Sequence, residues 1–208
     1  MRKGMTVTYE VDGGLYLNIT NRCSNRCEFC IRNNGEGAYG SESLWLLREP
    51  TVEEIKADID KRDLSKYTEL VFCGYGEPSY RLKEVREVAL YVRKKAPALP
   101  IRINTNGHSD LILGIDSSPL YEGAFDTVSI SLNTPSAERY VEICHPIYKE
   151  DAFIALQKFA RNVKKCVQNV MFSVVKETLS ESELAECKNI ADSCGVTLKV
   201  RTYIPPEK

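Results

Sequence analysis

Three cysteines fall within eight residues in the run Cys23-Ser24-Asn25-Arg26-Cys27-Glu28-Phe29-Cys30, separated by three and then two positions. A loop this tight can bring three thiolates to one point, and soft thiolate ligands select zinc, copper(I) or iron–sulfur clusters. The next cysteine is Cys73, far downstream. A four-iron cluster held here would therefore have three irons tied to protein and one left open for a small molecule. On the loop alone two other readings stand beside it. One is a closed zinc site completed by His108 or His145; the other is thiols with redox or incidental roles.

Further chemistry-bearing residues recur at the ends of short apolar runs. Glu69-Leu70-Val71-Phe72-Cys73 leads into Gly74-Tyr75-Gly76-Glu77-Pro78, Ile101-Arg102-Ile103 into Asn104-Thr105-Asn106-Gly107, and Val128-Ser129-Ile130 into Ser131-Leu132-Asn133. Asn104 and Asn106 alternate on one side of their run, as do Ser131 and Asn133, so each pair can point the same way. Amide and hydroxyl groups suit sugar hydroxyls, although Asn and Ser also commonly close their own turns. Glu77 reads either as a ligand-facing acceptor or as a solvated glutamate in a tight turn.

Taken together these residues resemble the radical SAM superfamily, whose hallmark is C-x3-C-x2-C with an aromatic before the last cysteine, here Phe29. Gly74-Tyr75-Gly76-Glu77-Pro78 is similar to the family's Gly-Gly-Glu-Pro motif, with Tyr75 departing at the second position. The resemblance runs from about Leu15 to Tyr203. Its wording at Phe72–Pro78 and Ser129–Asn133 is most similar to the small TatD-associated radical SAM proteins. It implies a [4Fe-4S] cluster on Cys23, Cys27 and Cys30, with S-adenosylmethionine chelating the open iron. One electron, from a reductant such as flavodoxin or ferredoxin, then yields a 5′-deoxyadenosyl radical that abstracts hydrogen from an unidentified substrate, a peptide, protein or small molecule. By the same resemblance Gly74, Tyr75, Gly76 and Glu77 meet the methionine amino group. Asn104, Asn106, Ser131 and Asn133 contact the amino acid and ribose, Phe29 lies against adenine, and the backbone around Ile31 reads its amino edge. The competing class is a non-catalytic iron–sulfur or zinc protein, an electron carrier or binding module whose metal site is saturated by protein.

The elements that must position these residues alternate between strand and helix. Thr6–Val11 and Leu15–Leu17, joined through Asp12-Gly13-Gly14, read as a hairpin that adds a strand at a sheet edge. Capping-box patterns at Thr51/Glu54 and Ser180/Glu183 open helices, and Gly195 supplies a stop. Arg81–Lys95 carries an apolar face at helical spacing, Thr134-Pro135 reads as N-cap and first residue of a helix through Tyr140, and a further helix spans about Glu150 to Lys164. The strands read as apolar on both faces, the mark of a covered parallel sheet. The expected fold is α/β, a partial (β/α)6 TIM-like barrel with an N-terminal β-hairpin strand, two units short of closure, with its site at the C-terminal ends of the strands. Its open side would be closed by a dimer partner, a protein substrate, or the Gly-rich loop at residues 35–40. Leu44-Trp45-Leu46-Leu47 is expected to dock that loop and shield the cluster. Residues 1–208 read as a single domain.

Outside the three-cysteine loop, Cys187 and Cys194 read as core residues, Cys144 and Cys166 as unspaced thiols, and Cys73 as buried packing beside the Gly74–Pro78 turn. His108 and His145 read by default as surface residues. Lys176, Arg201 and Tyr203 end the last two strands and are candidates for substrate or adenine contacts. With 28 Lys plus Arg against 29 Asp plus Glu, the net charge of −1 gives no general pull toward nucleic acid or membrane. No apolar run approaches the ~18 residues needed to span a bilayer, and Met1-Arg2-Lys3-Gly4 leads into no secretory core. Eight cysteines without an export signal point to a reducing cytoplasm. The run Pro205-Pro206-Glu207-Lys208 ends the barrel unit, and no added domain is expected after it.

Overall fold

The structure, a computed structural model, describes residues 3–203; Met1, Arg2 and residues 204–208, and with them both ends of the expected 1–208 domain, lie outside the described residues. Two strands open the chain, β1 (Thr8–Val11) and β2 (Gly14–Leu17), joined at Asp12 and Gly13. Both turn residues have positive φ, 46° and 79°, the geometry that lets a two-residue hairpin follow the strand twist. The chain then alternates: α1 (Val52–Asp60), β3 (Leu70–Phe72), α2 (Leu82–Lys95), β4 (Ile101–Thr105), α3 (Ser109–Leu113), β5 (Thr127–Ser131), α4 (Ala137–Cys144), α5 (Asp151–Val163), β6 (Asn169–Val175), α6 (Glu181–Cys194) and β7 (Thr197–Arg201).

The seven strands form one sheet in sequence order, with β1 antiparallel to β2 and every later neighbour parallel. No pairing joins β1 to β7 among the described residues, so the sheet is the open partial barrel, with the hairpin strand at one edge. Thr51 and Ser180 form complete capping boxes with Glu54 and Glu183, and Gly195 ends α6 in the left-handed conformation.

Two expectations are corrected. The strands are not apolar on both faces: Ile101, Ile103, Val128, Ile130, Phe172 and Val174 pack outward into the helix-covered core, while Arg102, Asn104, Ser129, Ser131 and Ser173 between them line an inner cavity. The inner face is polar because it faces that cavity rather than a second apolar layer. The helix expected from Thr134-Pro135 starts two residues later. Asn133 takes a left-handed φ of 63°, Thr134 N–H bonds back to Leu132 O at 2.8 Å, and the cap falls to Ser136, which accepts from Arg139 N at 3.1 Å. No helix among the described residues is long and apolar enough to cross a membrane.

Candidate active site

The cysteine loop leaves the C-terminal end of β2 and is hung on the end of α4. Arg26 N donates to Cys144 O at 2.9 Å, Glu28 N to Ile143 O at 3.0 Å, and Ile147 N to Ser24 O at 2.9 Å. The last carbonyls of a helix have no partner within it, and the loop supplies two of the missing donors. Just upstream, the buried Arg81 holds Ile19 O at 3.0 Å and Pro50 O at 2.7 Å, which fixes where the loop begins.

The turn after β3 lies hard against this loop. A Cβ at Gly74 would stand 2.2 Å from Asn18 Oδ1, and one at Gly76 would stand 2.2 Å from Thr20 O and 2.7 Å from Arg22 O. Glu77 N–H donates to Arg22 O at 2.7 Å. Both glycines are thus required by the neighbouring chain, independently of any ligand. The Glu77 side chain is buried and accepts three hydrogen bonds, from Thr105 Oγ1 (2.7 Å), Ser79 N (3.0 Å) and Asn106 N (2.7 Å), so it clamps the β3 turn to the end of β4. Burial pushes its carboxyl up while these donors oppose the shift. Of about four acceptor positions on a carboxylate, roughly one remains.

Tyr75, the departure from the Gly-Gly-Glu-Pro pattern, is buried and has a definite job. Its hydroxyl lies 2.8 Å from Gly37 O and 3.2 Å from Gly35 O, and its ring meets Trp45 edge-on at 5.2 Å. It straps the Gly-rich loop across the inner face. Asn18 and Asn21 reinforce the strap through Leu44 O and Leu46 O, both at 2.8 Å. Leu44 and Leu46 are buried as expected of the docking segment, whereas Leu47 is 65% exposed.

The sequence-derived residues Cys23, Cys27, Cys30, Phe29, Ile31, Gly74, Tyr75, Gly76, Glu77, Asn104, Asn106, Ser131 and Asn133 all line one cavity of roughly 550 Å³ at the C-terminal ends of the parallel strands. A second groove, lined by residues such as Arg62, Lys95 and Pro100, lies at the opposite ends of the strands and collects none of them. Within the site the side chains divide by what they already hold. Asn106 is buried and spent: Nδ2 donates to Ser24 Oγ at 2.7 Å, and Oδ1 accepts from His108 N at 3.1 Å. Asn104 accepts from Arg102 at 2.8 Å. The Ser131 hydroxyl makes no hydrogen bond among the described residues, while its backbone pairs with β6 opposite Ser173. Asn133 donates to Cys144 Sγ at 3.3 Å, and its buried Oδ1 has no partner; Asn25, also on the wall, has a second buried and unpartnered Oδ1.

The histidines do not read as surface residues in the same way. His108 is fully buried, with Nδ1 3.0 Å from Ser24 Oγ and Nε2 3.3 Å from Tyr140 OH, and burial lowers its pKa to about 4. His145 is exposed and pairs with Glu28 at 3.4 Å. Neither ring nitrogen of His108 is free to complete a zinc site. Cys73 is not packing in the core: it lines the cavity, beside Asn104. Cys144 lies against Cys27, although no spacing in the chain links them, and this contact together with burial raises the Cys27 thiol. Burial pushes Cys23 up to about 12 and Cys30 upward as well. Three protonated thiols become three ligands only by giving up protons to a metal.

Arg201 and Tyr203 line the cavity, whereas Lys176 sits on an exposed turn outside it. Lys199, Arg102, Ser173 and Asn25 belong to the wall and were missed. Period-two spacing from Arg201 would have found Lys199; only the fold brings Asn25 in.

The donor set fits an iron–sulfur cluster: three cysteines line one cavity, and thiolates are soft ligands suited to iron. Asn25 and Asn133, which line the same cavity, each keep a buried amide oxygen with no partner among the described residues, an acceptor that a hydroxyl or amine donor, water included, would satisfy.

Comparison with known proteins agrees. The chain is 24% identical to GTP 3′,8-cyclase of Clostridium perfringens over 195 residues, covering 92% of this chain and 55% of the relative. It is 29% identical over 154 residues to the tungsten-containing aldehyde ferredoxin oxidoreductase cofactor-modifying protein of Pyrococcus furiosus, covering 72% of this chain and 38% of that one. It thus spans about half or less of the length of these relatives. In fold it is similar to Streptococcus suis SuiB bound to its precursor peptide SuiA, with a TM-score of 0.68 at 14% identity over 92% of this chain and 39% of that one. The family model for the Radical SAM superfamily matches residues 17–187. The chain belongs to the radical SAM superfamily of enzymes.

Proposed function

We propose that this protein binds a [4Fe-4S] cluster through Cys23, Cys27 and Cys30 and uses it, with S-adenosylmethionine on the fourth iron, to start hydrogen abstraction from a substrate held in the same cavity. When bound, the cluster supplies one electron that breaks the sulfonium–C5′ bond into methionine and a 5′-deoxyadenosyl radical, which takes a hydrogen atom from the substrate. The observation that carries this reading is the convergence of Cys23, Cys27 and Cys30 with Glu77, Ser131 and Asn133 on one cavity at the strand ends.

The chain's own residues bind and orient. Asn133, with Ser131, offers oxygen acceptors and a hydroxyl to ribose and amino-acid groups, and the remaining lone pair of Glu77 suits an N–H of the methionine amino group. Phe29 and the backbone at Ile31, beside the last cysteine, take the adenine. Asn104 borders this region, while Asn106 acts through the cysteine loop by holding Ser24. Tyr75, by strapping residues 35–40 over the inner face, excludes water from one side.

Residues 1–208 act as one domain in this reading, in a reducing cytoplasm and with a flavodoxin- or ferredoxin-like reductant. The open sheet edge accepts a substrate, peptide or small molecule, or a second copy that closes the barrel. The wording Phe72–Pro78 supports the TatD-associated subgroup. The test is anaerobic reconstitution with iron and sulfide, then addition of S-adenosylmethionine and dithionite. Release of 5′-deoxyadenosine that disappears in Cys27→Ala is expected. A fully loaded cluster that releases none would instead mark an electron carrier.

A further inference from the structure

The cavity wall carries three cations, and they are not equivalent. Arg102 is consumed: it pairs with both carboxylate oxygens of Glu69 at 2.6 and 2.9 Å, donates to Asn104 Oδ1 at 2.8 Å and reaches Tyr16 OH at 3.2 Å. The side chains of Lys199 and Arg201 make no hydrogen bond or ion pair among the described residues, yet both residues line the cavity. They lie two residues apart on β7, so their side chains share its inner face about 7 Å apart along the strand. The β6–β7 register sets Lys199 opposite Ser173, and the β5–β6 register sets Ser173 opposite Ser131. One row of the floor therefore reads hydroxyl, hydroxyl, ammonium, with the Arg201 guanidinium one step nearer the cysteine loop. Of the carboxylates on the wall, Glu77 takes its three described hydrogen bonds from Thr105, Ser79 and Asn106 and none from Lys199 or Arg201, and Asp12 in the β1–β2 turn pairs with neither cation.

We infer that Lys199 and Arg201 recognise an anionic group, a carboxylate or phosphate, on the substrate, with Ser173 completing the contact; this rests on the function proposed above. Two cations lining the cavity with no carboxylate partner among the described residues, Arg201 half-buried and Lys199 exposed on the edge strand, match an anionic substrate group better than a neutral one. Arginine grips two oxygens in a plane while lysine acts as a point charge, so Arg201 sets orientation and Lys199 adds attraction. Ser173 and Lys199 stand two residues before the ends of β6 and β7, below the strand tips that carry the cysteine loop, and Arg201 stands at the tip of β7 between that floor and the loop.

The test uses reconstituted holoenzyme under argon, saturated with S-adenosylmethionine, titrated calorimetrically with inorganic pyrophosphate and, separately, with succinate. Binding of at least one probe to the wild type is expected, weakened by about tenfold or more in Lys199→Gln/Arg201→Gln. Arg201→Lys should recover part of the affinity but not the bidentate geometry. The stronger probe names the source of the charge. Failure of both probes to bind the wild type overturns the inference, as does undiminished binding to the double variant. So does a double variant that loses affinity for S-adenosylmethionine rather than for the probes, because the cations would then serve the cofactor's own carboxylate. If the wild type fails to bind S-adenosylmethionine at all, the functional reading itself falls, and the two failures are distinguishable.

Discussion

A single methyl group at Gly76 would collide with two carbonyl oxygens of the segment that begins the cysteine loop. Neither is the far end of a flexible side chain, so the backbone must shift. Gly76→Ala is expected to cost about 1–3 kcal/mol, as overpacking typically does, and to lower the iron bound per chain after reconstitution; chemical denaturation and iron assay measure the two effects. Tyr75 calls for a different readout. Tyr75→Phe keeps the ring against Trp45 but removes the hydroxyl beside Gly35 O and Gly37 O. A net change of about 0.5–1.5 kcal/mol is expected, with faster proteolytic cleavage inside residues 35–40 and little change elsewhere. The types and spacing of Cys23, Cys27, Cys30, Glu77 and Asn106 were legible in the sequence, but what Glu77 and Asn106 hold was not. Thr105 stands 28 residues from Glu77 and Ser24 stands 82 from Asn106, distances that only the closed fold brings within hydrogen-bond range.

At the scale of elements, the cysteine loop depends on the end of α4 as much as on its own sequence. Two backbone N–H groups meet the carbonyls of Ile143 and Cys144, and Asn25 reaches Tyr140 OH at 3.0 Å, which in turn lies beside His108. His108 gives this junction a pH signature. Its folded-state pKa of about 4 lies below the ordinary 6.5 because burial disfavours the imidazolium. Above pH 6.5 the ring is neutral in both folded and unfolded chains and costs nothing. Between 6.5 and 4 the unfolded chain takes up the proton first, so stability falls as pH falls, and the loss is complete below about 4. A displacement of that size is worth on the order of 3 kcal/mol. His108→Gln should be less stable at neutral pH and show a flatter decline across that window; melting curves at several pH values check both. Helix and strand order followed from apolar periodicity and capping boxes. The polar inner face did not, because a strand bordering a cavity carries the same alternation as one bordering solvent. The late start of α4 was hidden by Asn133, whose left-handed conformation nothing in Thr134-Pro135 announces.

Over the whole molecule, helices cover only the outer face of the sheet, and its inner face is left as a cavity open between β1 and β7. Polar residues from six successive parallel strands and their loops converge there because the strands stay in sequence order and share one direction. The central claim is that one iron in this cavity has no protein ligand. Mössbauer spectroscopy of protein reconstituted with the Mössbauer-active iron isotope tests it most directly. The account predicts four irons per chain, one of which changes its isomer shift and quadrupole splitting when S-adenosylmethionine is added while three stay as they were. A spectrum in which all irons are equivalent and unaffected by S-adenosylmethionine would contradict it.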